Sequence, residues 1–211
     1  YYGNILSDTD MESLSTAGVP WNDVYPVYGI WTDGERALEV THSDGNLSTC
    51  LKVESVSTRQ EPSAKVTVIR MKDTAYPFYV NVCYRAYEDV DMIETWTEIE
   101  NREKKPVKLT RFDSGSIPVR YGNVWLTHLA GSANNEGRLI QEPLERGMLV
   151  LRNKDGVRNT HTDHPEVMFS LDGKPLEHTG QVIGAALCYS GNYELRIDTK
   201  EGIENLNKFI A

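Results

Sequence analysis

The stretch that decides the fold runs from residue 64 to residue 100. It contains the alternating segments AKVTVIRMK (64–72), YVNVCYRAY (79–87) and MIETWTEIE (92–100). In the last segment isoleucine and threonine occupy every second position, and glutamate or tryptophan occupies the positions between. Because successive side chains of a β-strand point to opposite faces of a sheet, this alternation predicts strands with one buried face and one solvent-facing face.

Similar short runs recur along the rest of the chain, and turn-forming residues separate them. The runs are PVKLTRF (106–112), MLVLR (148–152), EVMFSL (166–171) and YELRI (193–197), and the turns include SDGN (43–46), LDGKP (171–175) and YSGN (189–192). A sustained helical period is missing, so the pattern predicts an all-β protein, a sandwich of stacked, mostly antiparallel sheets with many short strands and little helix. No linker or repeat interrupts residues 1–211, which we interpret as a single sandwich domain.

The segment VIGAALCYSGNY (182–193) ends an apolar run abruptly at a Ser-Gly-Asn corner. Its composition predicts a buried strand followed by a hairpin turn. The polar segment REKK (102–105) is predicted to be a solvent-facing loop tip. Cys50, Cys83 and Cys188 lie far apart in strand-like surroundings, so we expect buried thiols.

Charge and hydropathy restrict the partners of the chain. The 211 residues carry a formal net charge of −9, which repels nucleic acid and anionic membranes. No apolar run approaches the roughly 20 residues that span a bilayer, and the chain does not open on a cationic and then apolar leader. The protein is therefore either cytosolic or exported with its signal removed. Both ends look strand-like, so we expect a piece of a longer polypeptide.

Several side-chain clusters suggest chemistry, and each also has a structural interpretation. HTDH (161–164) could bind a metal, but loop histidines that bond to backbone or to an adjoining domain explain it better, so we expect no metal. The pairs Asp89/Asp91 and Glu98/Glu100 could serve a glycosidase, but a solvated strand face is the preferred interpretation. The sequence has no nucleophile elbow and no phosphate-binding glycine loop, so we expect no cofactor.

The aromatic-rich segment VPWNDVYPVYGIWTDGER (19–36) combines tryptophan and tyrosine with acidic residues and an arginine. Aromatic faces beside planar polar groups suit sugar binding, because the rings stack on C–H groups and the polar groups bind hydroxyls. The alternative is that these aromatic residues fill a sandwich core or a domain interface.

Several segments, in order, resemble the N-terminal domain of α-galactosidases of glycoside hydrolase family 36. They are YPVYG (25–29), ALEVTHSDGN (37–46), VCYRAYEDVDMIETWTEIENREKKPVKLTRF (82–112), LTHLAGSANNEGRLIQEPLERG (126–147), THTDHPEVMFSL (160–171) and GQVIGAALCYSGNY (180–193). The resemblance implies a β-supersandwich that precedes a catalytic barrel. It also implies that both catalytic aspartates belong to the barrel, so this chain would contain no catalytic residue.

The same resemblance implies roles for individual residues. In some oligomeric family members, residues that follow Tyr-Pro-x-x-Gly reach the sugar pocket of a neighbouring subunit, and the matching residues here are Trp31, Asp33 and Arg36. His161 and His164 would lie at a domain interface. The implied partners are the barrel of the same chain, further copies of the chain and a galactoside substrate.

Two other functions remain open from the sequence. The chain could be a free-standing carbohydrate-binding module that uses the aromatic segment 19–36. It could also be an epimerase-like sandwich enzyme in which His161 or His164 acts with Glu166 on the anomeric centre of a sugar.

Overall fold

The computed structural model of the chain describes residues 25–28, 35–120, 122–157, 162–199 and 206–210, without the side chains at 118, 120 and 206–210. All regular structure in these ranges is β-strand, which confirms the all-β prediction. The described part accordingly holds no helix long and apolar enough to cross a membrane. The chain divides into two compact units, Tyr1–Ser116 and Ile117–Ala211. The assignment of residues 1–211 to a single domain stays a prediction.

The first unit contains a four-stranded antiparallel sheet and a separate two-stranded sheet. Its strands are β1 (Leu38–Thr41), β2 (Leu51–Glu61), β3 (Ala64–Asp73), β4 (Phe78–Tyr87), β5 (Ile93–Asn101) and β6 (Lys108–Phe112). The large sheet has the order β2-β3-β4-β5, and β1 pairs antiparallel with β6. Strands β3, β4 and β5 coincide with the three alternating segments that define the fold in the sequence.

Alternation gives the four-stranded sheet two distinct faces. The inner face carries Phe78, Val80 and Val82, which are buried against Leu38 and Val40 of β1. The outer face carries the residues between them on β4 and their cross-strand neighbours on the other three strands. The inner face therefore forms this core, as the sequence predicts, whereas the outer face combines polar residues with the buried Ala64, Val66 and Cys83.

The second unit is a sandwich of two four-stranded sheets. Its strands are β7 (Ser116–Arg120), β8 (Trp125–Ala130), β9 (Arg138–Pro143), β10 (Gly147–Asn153), β11 (Asp163–Ser170), β12 (Val182–Ala186), β13 (Tyr193–Thr199) and β14 (Leu206–Ile210). The strand orders are β10-β13-β14-β7 and β12-β11-β8-β9. Leu151, Leu195 and Ile197 of the first sheet share one core cluster with Leu126 and Phe169 of the second, so the two sheets pack face to face.

The segment 182–193 differs from its prediction in two respects. Strand β12 is not buried: it is an edge strand, and Val182 and Ile183 are 49% and 39% exposed. The corner at 189–192 is not a hairpin either, because β12 and β13 belong to different sheets and the corner connects them. An apolar run of this length fits an edge strand as well as a central strand, and only the pairing distinguishes the two.

The expectation of three buried thiols is correct for one of them. Cys83 is buried on β4, and burial, with Glu98 nearby, raises its pKa to about 11. Cys50 is half-buried, and Cys188 is exposed because it lies beyond the end of the edge strand β12. All three cysteines are free thiols.

Candidate functional site

The aromatic segment predicted to contact sugar has two described parts, residues 25–28 and 35–36, and they lie close together. Val27 forms a parallel bridge with Leu38, and the carbonyl of Pro26 accepts hydrogen bonds from the N–H groups of Ala37 (2.8 Å) and Leu38 (3.2 Å). The buried Tyr25 donates a hydrogen bond from its hydroxyl to the carbonyl of Asp113 at 3.1 Å. We call the residues joined by these contacts, 25–28 and 35–38, the neck of the segment.

Arg36 lies on this neck in a polar and aromatic cluster. Its guanidinium carbon is 4.3 Å from the centre of the Tyr28 ring, and its Nη1 is 3.4 Å from Oε1 of Glu39. Next to it, Nη1 of Arg111 donates to Oε2 of Glu35 at 2.7 Å and to the Arg36 carbonyl at 3.3 Å. The Arg36 Nε is a buried donor without a hydrogen-bond acceptor in the described residues. The cluster therefore presents a stacked guanidinium, the kind of group that binds hydroxyls or carboxylates.

Trp31 and Asp33 lie outside the described residues, as does His161. Of the residues predicted for substrate contact, the structure thus places only Arg36, and of the two predicted interface histidines it places only His164. The predicted roles of all five residues stay predictions.

His164 lies on β11 with 15% of its side chain exposed. Its Nδ1 is 3.9 Å from Oε1 of Glu166, the carboxylate suggested for an epimerase-like reaction, and its Nε2 is buried without a hydrogen-bond partner in the described residues. On the neighbouring strand, buried His128 has Glu142 3.5 Å from Nε2 and Asp163 3.8 Å from Nδ1. These two carboxylates approach different nitrogens of one ring, so they do not converge on a common metal position.

Within the described ranges, no group of three or more histidine, cysteine, aspartate or glutamate side chains is arranged to hold a metal ion. Direct hydrogen bonds fix Asp163 of this block. The Tyr193 hydroxyl donates to the carbonyl of Asp163, and Oδ2 of Asp163 accepts the Arg152 N–H at 3.2 Å. The pKa of Tyr193 is raised to about 12 by its burial and by Asp163 and Glu166.

Sequence reasoning missed a buried polar cluster at the end of β1. Nδ1 of His42 is 2.7 Å from Oε1 of Glu103, and Oε2 of Glu103 accepts the Ser43 N–H at 3.0 Å. Tyr76 stacks on His42 with 3.7 Å between ring centres and 9° between ring planes. The side chain of Glu103 is 4% exposed, so the prediction of a solvent-facing loop at 102–105 is wrong for this residue.

One signal of this cluster was present in the sequence. The alternation of buried Leu38 and Val40 continues to His42, which places all three side chains on the same side of the strand. The partner Glu103 lies 61 residues further along the chain, in a segment that looks uniformly polar, and no local pattern indicates the pairing.

The acidic residues of β5 lie on the outer face of the four-stranded sheet, as predicted. Oε2 of Glu98 accepts from Asn81 (3.0 Å) and its Oε1 from Nε1 of Trp96 (3.2 Å). Glu100 binds Arg70 at 3.0 Å and Arg102 at 2.5 Å. These hydrogen bonds, from Asn81 first for Glu98 and from Arg70 first for Glu100, lower the pKa of both carboxyls.

Comparison with known proteins identifies a family with this fold. Residues 1–204 match the family described as the glycosyl hydrolase family 36 N-terminal domain. The chain is 24% identical over 192 residues to alpha-galactosidase AgaA of Geobacillus stearothermophilus, across 84% of this chain and 26% of that protein. It is 23% identical over 141 residues to alpha-galactosidase Mel36A of Lactobacillus acidophilus, across 67% of this chain and 19% of that protein.

The crystal structure of AgaA from Geobacillus stearothermophilus has the same fold as this chain. It superposes with a TM-score of 0.82 at 23% identity, across 89% of this chain and 28% of that one. The described strands of this chain therefore have the all-β fold of the matching part of that enzyme. The chain belongs to the glycosyl hydrolase family 36 N-terminal domain family, and it spans about a quarter of the length of AgaA. This match confirms the resemblance recognised in the sequence.

Proposed function

We propose that this chain is the non-catalytic N-terminal sandwich of a retaining α-galactosidase, an enzyme that hydrolyses terminal α-linked galactose. The observation that carries the proposal is the match of residues 1–204 to the N-terminal domain family. In this role the chain packs on the catalytic barrel of the same polypeptide and supports the assembly of a homo-oligomer. The galactoside is bound and cleaved on the barrel.

The state of the acidic residues on β5 supports a scaffold role. A glycosidase general acid requires a raised pKa so that it can protonate the leaving group. The pKa values of Glu98 and Glu100 are instead lowered by hydrogen bonds to Asn81 and Arg70, respectively. Carboxylates bound in this way are suited to joining strands of a sheet, and they are poor proton donors near neutral pH.

The neck at Val27 and Leu38 supports a second part of the proposal, in which the segment between them contributes to a sugar pocket. Arg36 is held on this neck by the Tyr28 ring and by Glu39, and its buried Nε has no acceptor in the described residues. The Arg36 side chain is nevertheless 38% exposed, so the outer N–H groups of its guanidinium are open to a hydroxyl of a sugar. Trp31 and Asp33 would act beside it.

Activity measurements on two polypeptides test the scaffold role. We expect the 211-residue chain to leave an aryl α-galactoside uncleaved, and a longer polypeptide that also carries the barrel to cleave it. Robust turnover by the 211-residue chain alone contradicts the proposal. In the longer polypeptide, Arg36→Ala should raise KM several-fold with little change in kcat, whereas Arg138→Ala, an exposed arginine on β9, should change neither constant.

A free-standing sugar-binding module is the second candidate, and the outer face of the sheet offers an observation in its favour. Trp96 is half-buried on this face, with its indole N–H donating to Glu98 and the guanidinium carbon of Arg85 5.2 Å from the ring centre. An aromatic ring flanked by planar polar groups is a common sugar-binding arrangement. Titration calorimetry of the 211-residue chain with galactose and raffinose separates the two candidates, since only a binding module gives saturable heat that Trp96→Ala abolishes.

A further inference from the structure

Strand β2 is an unusually long and open edge. It is 11 residues long and lies at the end of the order β2-β3-β4-β5. Residues 52–60 are all exposed, and within the described residues no strand pairs with the free side of β2. Such an edge presents a row of backbone N–H and C=O groups that another strand can pair with.

The charged side chains of β2 alternate in sign along the strand and lie on its outer face. They are Lys52, Glu54, Arg59 and Glu61. Lys52, Arg59 and Glu61 are in register with Lys72, Val66 and Ala64 of the outer face of β3. Glu54 reaches the same face, because its Oε2 accepts from Nε of Arg70 at 3.0 Å. The edge therefore carries two positive and two negative charges on one side.

A β-bulge makes this charge pattern symmetrical. The register with β3 shifts between Val53 and Ser55, so Glu54 and Ser55 together occupy one position of the strand. Counted in this way, Lys52 and Glu61 are equally distant from Ser57, and so are Glu54 and Arg59. Antiparallel pairing of two copies about Ser57 places each basic residue opposite an acidic residue of the second copy, and it keeps outer-face residues opposite outer-face residues.

The opposite edge of the sheet, strand β5, does not have a symmetrical balance of positive and negative charges. Strand β5 carries Glu94, Glu98 and Glu100 and no basic residue, so pairing between two β5 strands would place like charges together. Pairing of β2 with β5 would be head-to-tail and would leave a free edge at each end, which generates open assemblies. Of these three arrangements, pairing of β2 with β2 is the one that places opposite charges together and forms a closed dimer.

We propose that β2 is a self-association edge through which two copies of this chain pair antiparallel about a twofold axis at Ser57. Two four-stranded sheets then form one continuous eight-stranded sheet. This inference assigns a surface to the assembly role proposed above and rests on that role. Because of the twofold symmetry, each charge pair occurs twice.

Cysteine cross-linking tests the position of the axis. In a background in which the exposed Cys188 is replaced by serine, Ser57→Cys should form a disulfide-linked dimer on mild oxidation, because residues directly opposite have Cβ atoms about 5 Å apart. Ser55→Cys is the matched control on the same strand and face. Pairing about Ser57 separates its two copies by roughly 13 Å along the strands, which is too far for a disulfide.

A charge reversal tests whether the charges of two β2 strands complement each other. Arg59→Glu places like charges opposite each other twice, so the dissociation constant from sedimentation should rise about tenfold. Lys104→Glu makes the same change of net charge on an exposed loop and should leave the dissociation constant unchanged. Circular dichroism on each variant verifies that the fold is retained.

The outcomes separate this inference from the role on which it rests. A chain that is monomeric at every concentration tested contradicts both the β2 pairing and an assembly role for this chain. A chain that forms dimers in which Ser57→Cys does not cross-link, or cross-links no better than Ser55→Cys, contradicts the β2 pairing alone. Specific cross-linking at Ser57 together with weakening by Arg59→Glu supports it.

Discussion

Asn153 shows how one buried side chain secures the Ser-Gly-Asn corner of the second unit. It is fully buried, and its Nδ2 donates to the carbonyls of Gly156 (2.6 Å) and Gly191 (3.0 Å). Its Oδ1 accepts from the Asp155 N–H (3.0 Å) and the Thr162 hydroxyl (3.3 Å). All four hydrogen-bonding positions of the amide are used, and one of them ties the corner to the end of β10.

Gly191 lies close to the side chain of Tyr189. A Cβ atom at this position would overlap the ring of Tyr189. Tyr189 is an exposed side chain that can move away, so the restriction is mild. The corner is therefore held mainly by two hydrogen bonds, from Asn153 to the Gly191 carbonyl and from the Gly156 N–H to the Asn192 side chain.

Asn153→Ala should lower the free energy of unfolding by about 2–3 kcal/mol, because it leaves four backbone and side-chain groups without their partner. Asn192→Ala removes one exposed hydrogen bond, to the Gly156 N–H at 2.8 Å, and should cost less than about 1 kcal/mol. Asn153→Asp should be at least as damaging as Asn153→Ala, since a carboxylate cannot donate to two carbonyls. Urea denaturation measures the free energy of unfolding of all three variants. A stable Asn153→Asp variant would contradict the assigned orientation of the amide.

Glu103 makes the stability of the first unit depend on pH. Burial tends to raise the pKa of its carboxyl, but hydrogen bonds from Ser43 and His42 outweigh it and hold the pKa below its usual value. A carboxyl with a lowered pKa in the folded state stabilises the fold above its unfolded pKa, and that contribution is lost as the pH falls through the folded value. The free energy of unfolding should therefore decrease below about pH 5.

Glu103→Gln should weaken this decrease and should lower the free energy of unfolding at pH 7, because the amide cannot accept from both Ser43 and His42. Denaturant titrations at pH 7 and pH 4 on both proteins measure the effect. Glu88→Gln, on an exposed loop, is the matched control. An equal loss of stability on acidification in wild type and Glu103→Gln would show that Glu103 does not carry the dependence.

At the scale of elements, the outer face of the four-stranded sheet is joined by arginines that bridge several strands. Arg70 on β3 donates to Glu54 on β2 (3.0 Å), Asn81 on β4 (3.2 Å) and Glu100 on β5 (3.0 Å). Its guanidinium carbon is also 4.3 Å from the centre of the Tyr79 ring. One planar side chain thus connects all four strands across the outer face.

Arg70→Ala should lower the free energy of unfolding by about 1–2 kcal/mol, a value kept small because these ion pairs are partly exposed and screened by solvent. Arg70→Lys should recover less than half of the loss, since an ammonium group cannot reproduce the forked contacts. Among the described residues, Arg59 forms side-chain hydrogen bonds to Glu61 alone, so Arg59→Ala should cost less than about 0.5 kcal/mol. Thermal denaturation measures the series, and equal effects of Arg70→Ala and Arg59→Ala would contradict the bridging role.

At the scale of the whole chain, local alternation predicted the strands well. Ile93, Thr95, Thr97 and Ile99 do share one face of β5, because the pleat alone determines that arrangement. Contacts between distant segments were not predictable. The pairing of His42 with Glu103 and the placement of β12 and β13 in different sheets depend on the path of the chain over many residues. The same holds for Arg36, since a guanidinium stacked on Tyr28 has no local signature.

The two units have separate core clusters, which predicts that core mutations act within their own unit. Phe78 belongs to the core of the first unit and Phe169 to that of the second, and both are buried almost completely. Replacing either by alanine should cost about 3 kcal/mol and accelerate amide hydrogen exchange roughly a hundredfold in the strands around it. Phe169→Ala should affect β8, β11 and β13 while β3 and β4 keep their protection, and Phe78→Ala should do the reverse. Equal acceleration throughout the chain by either variant would show instead that residues 1–211 unfold as a single cooperative domain.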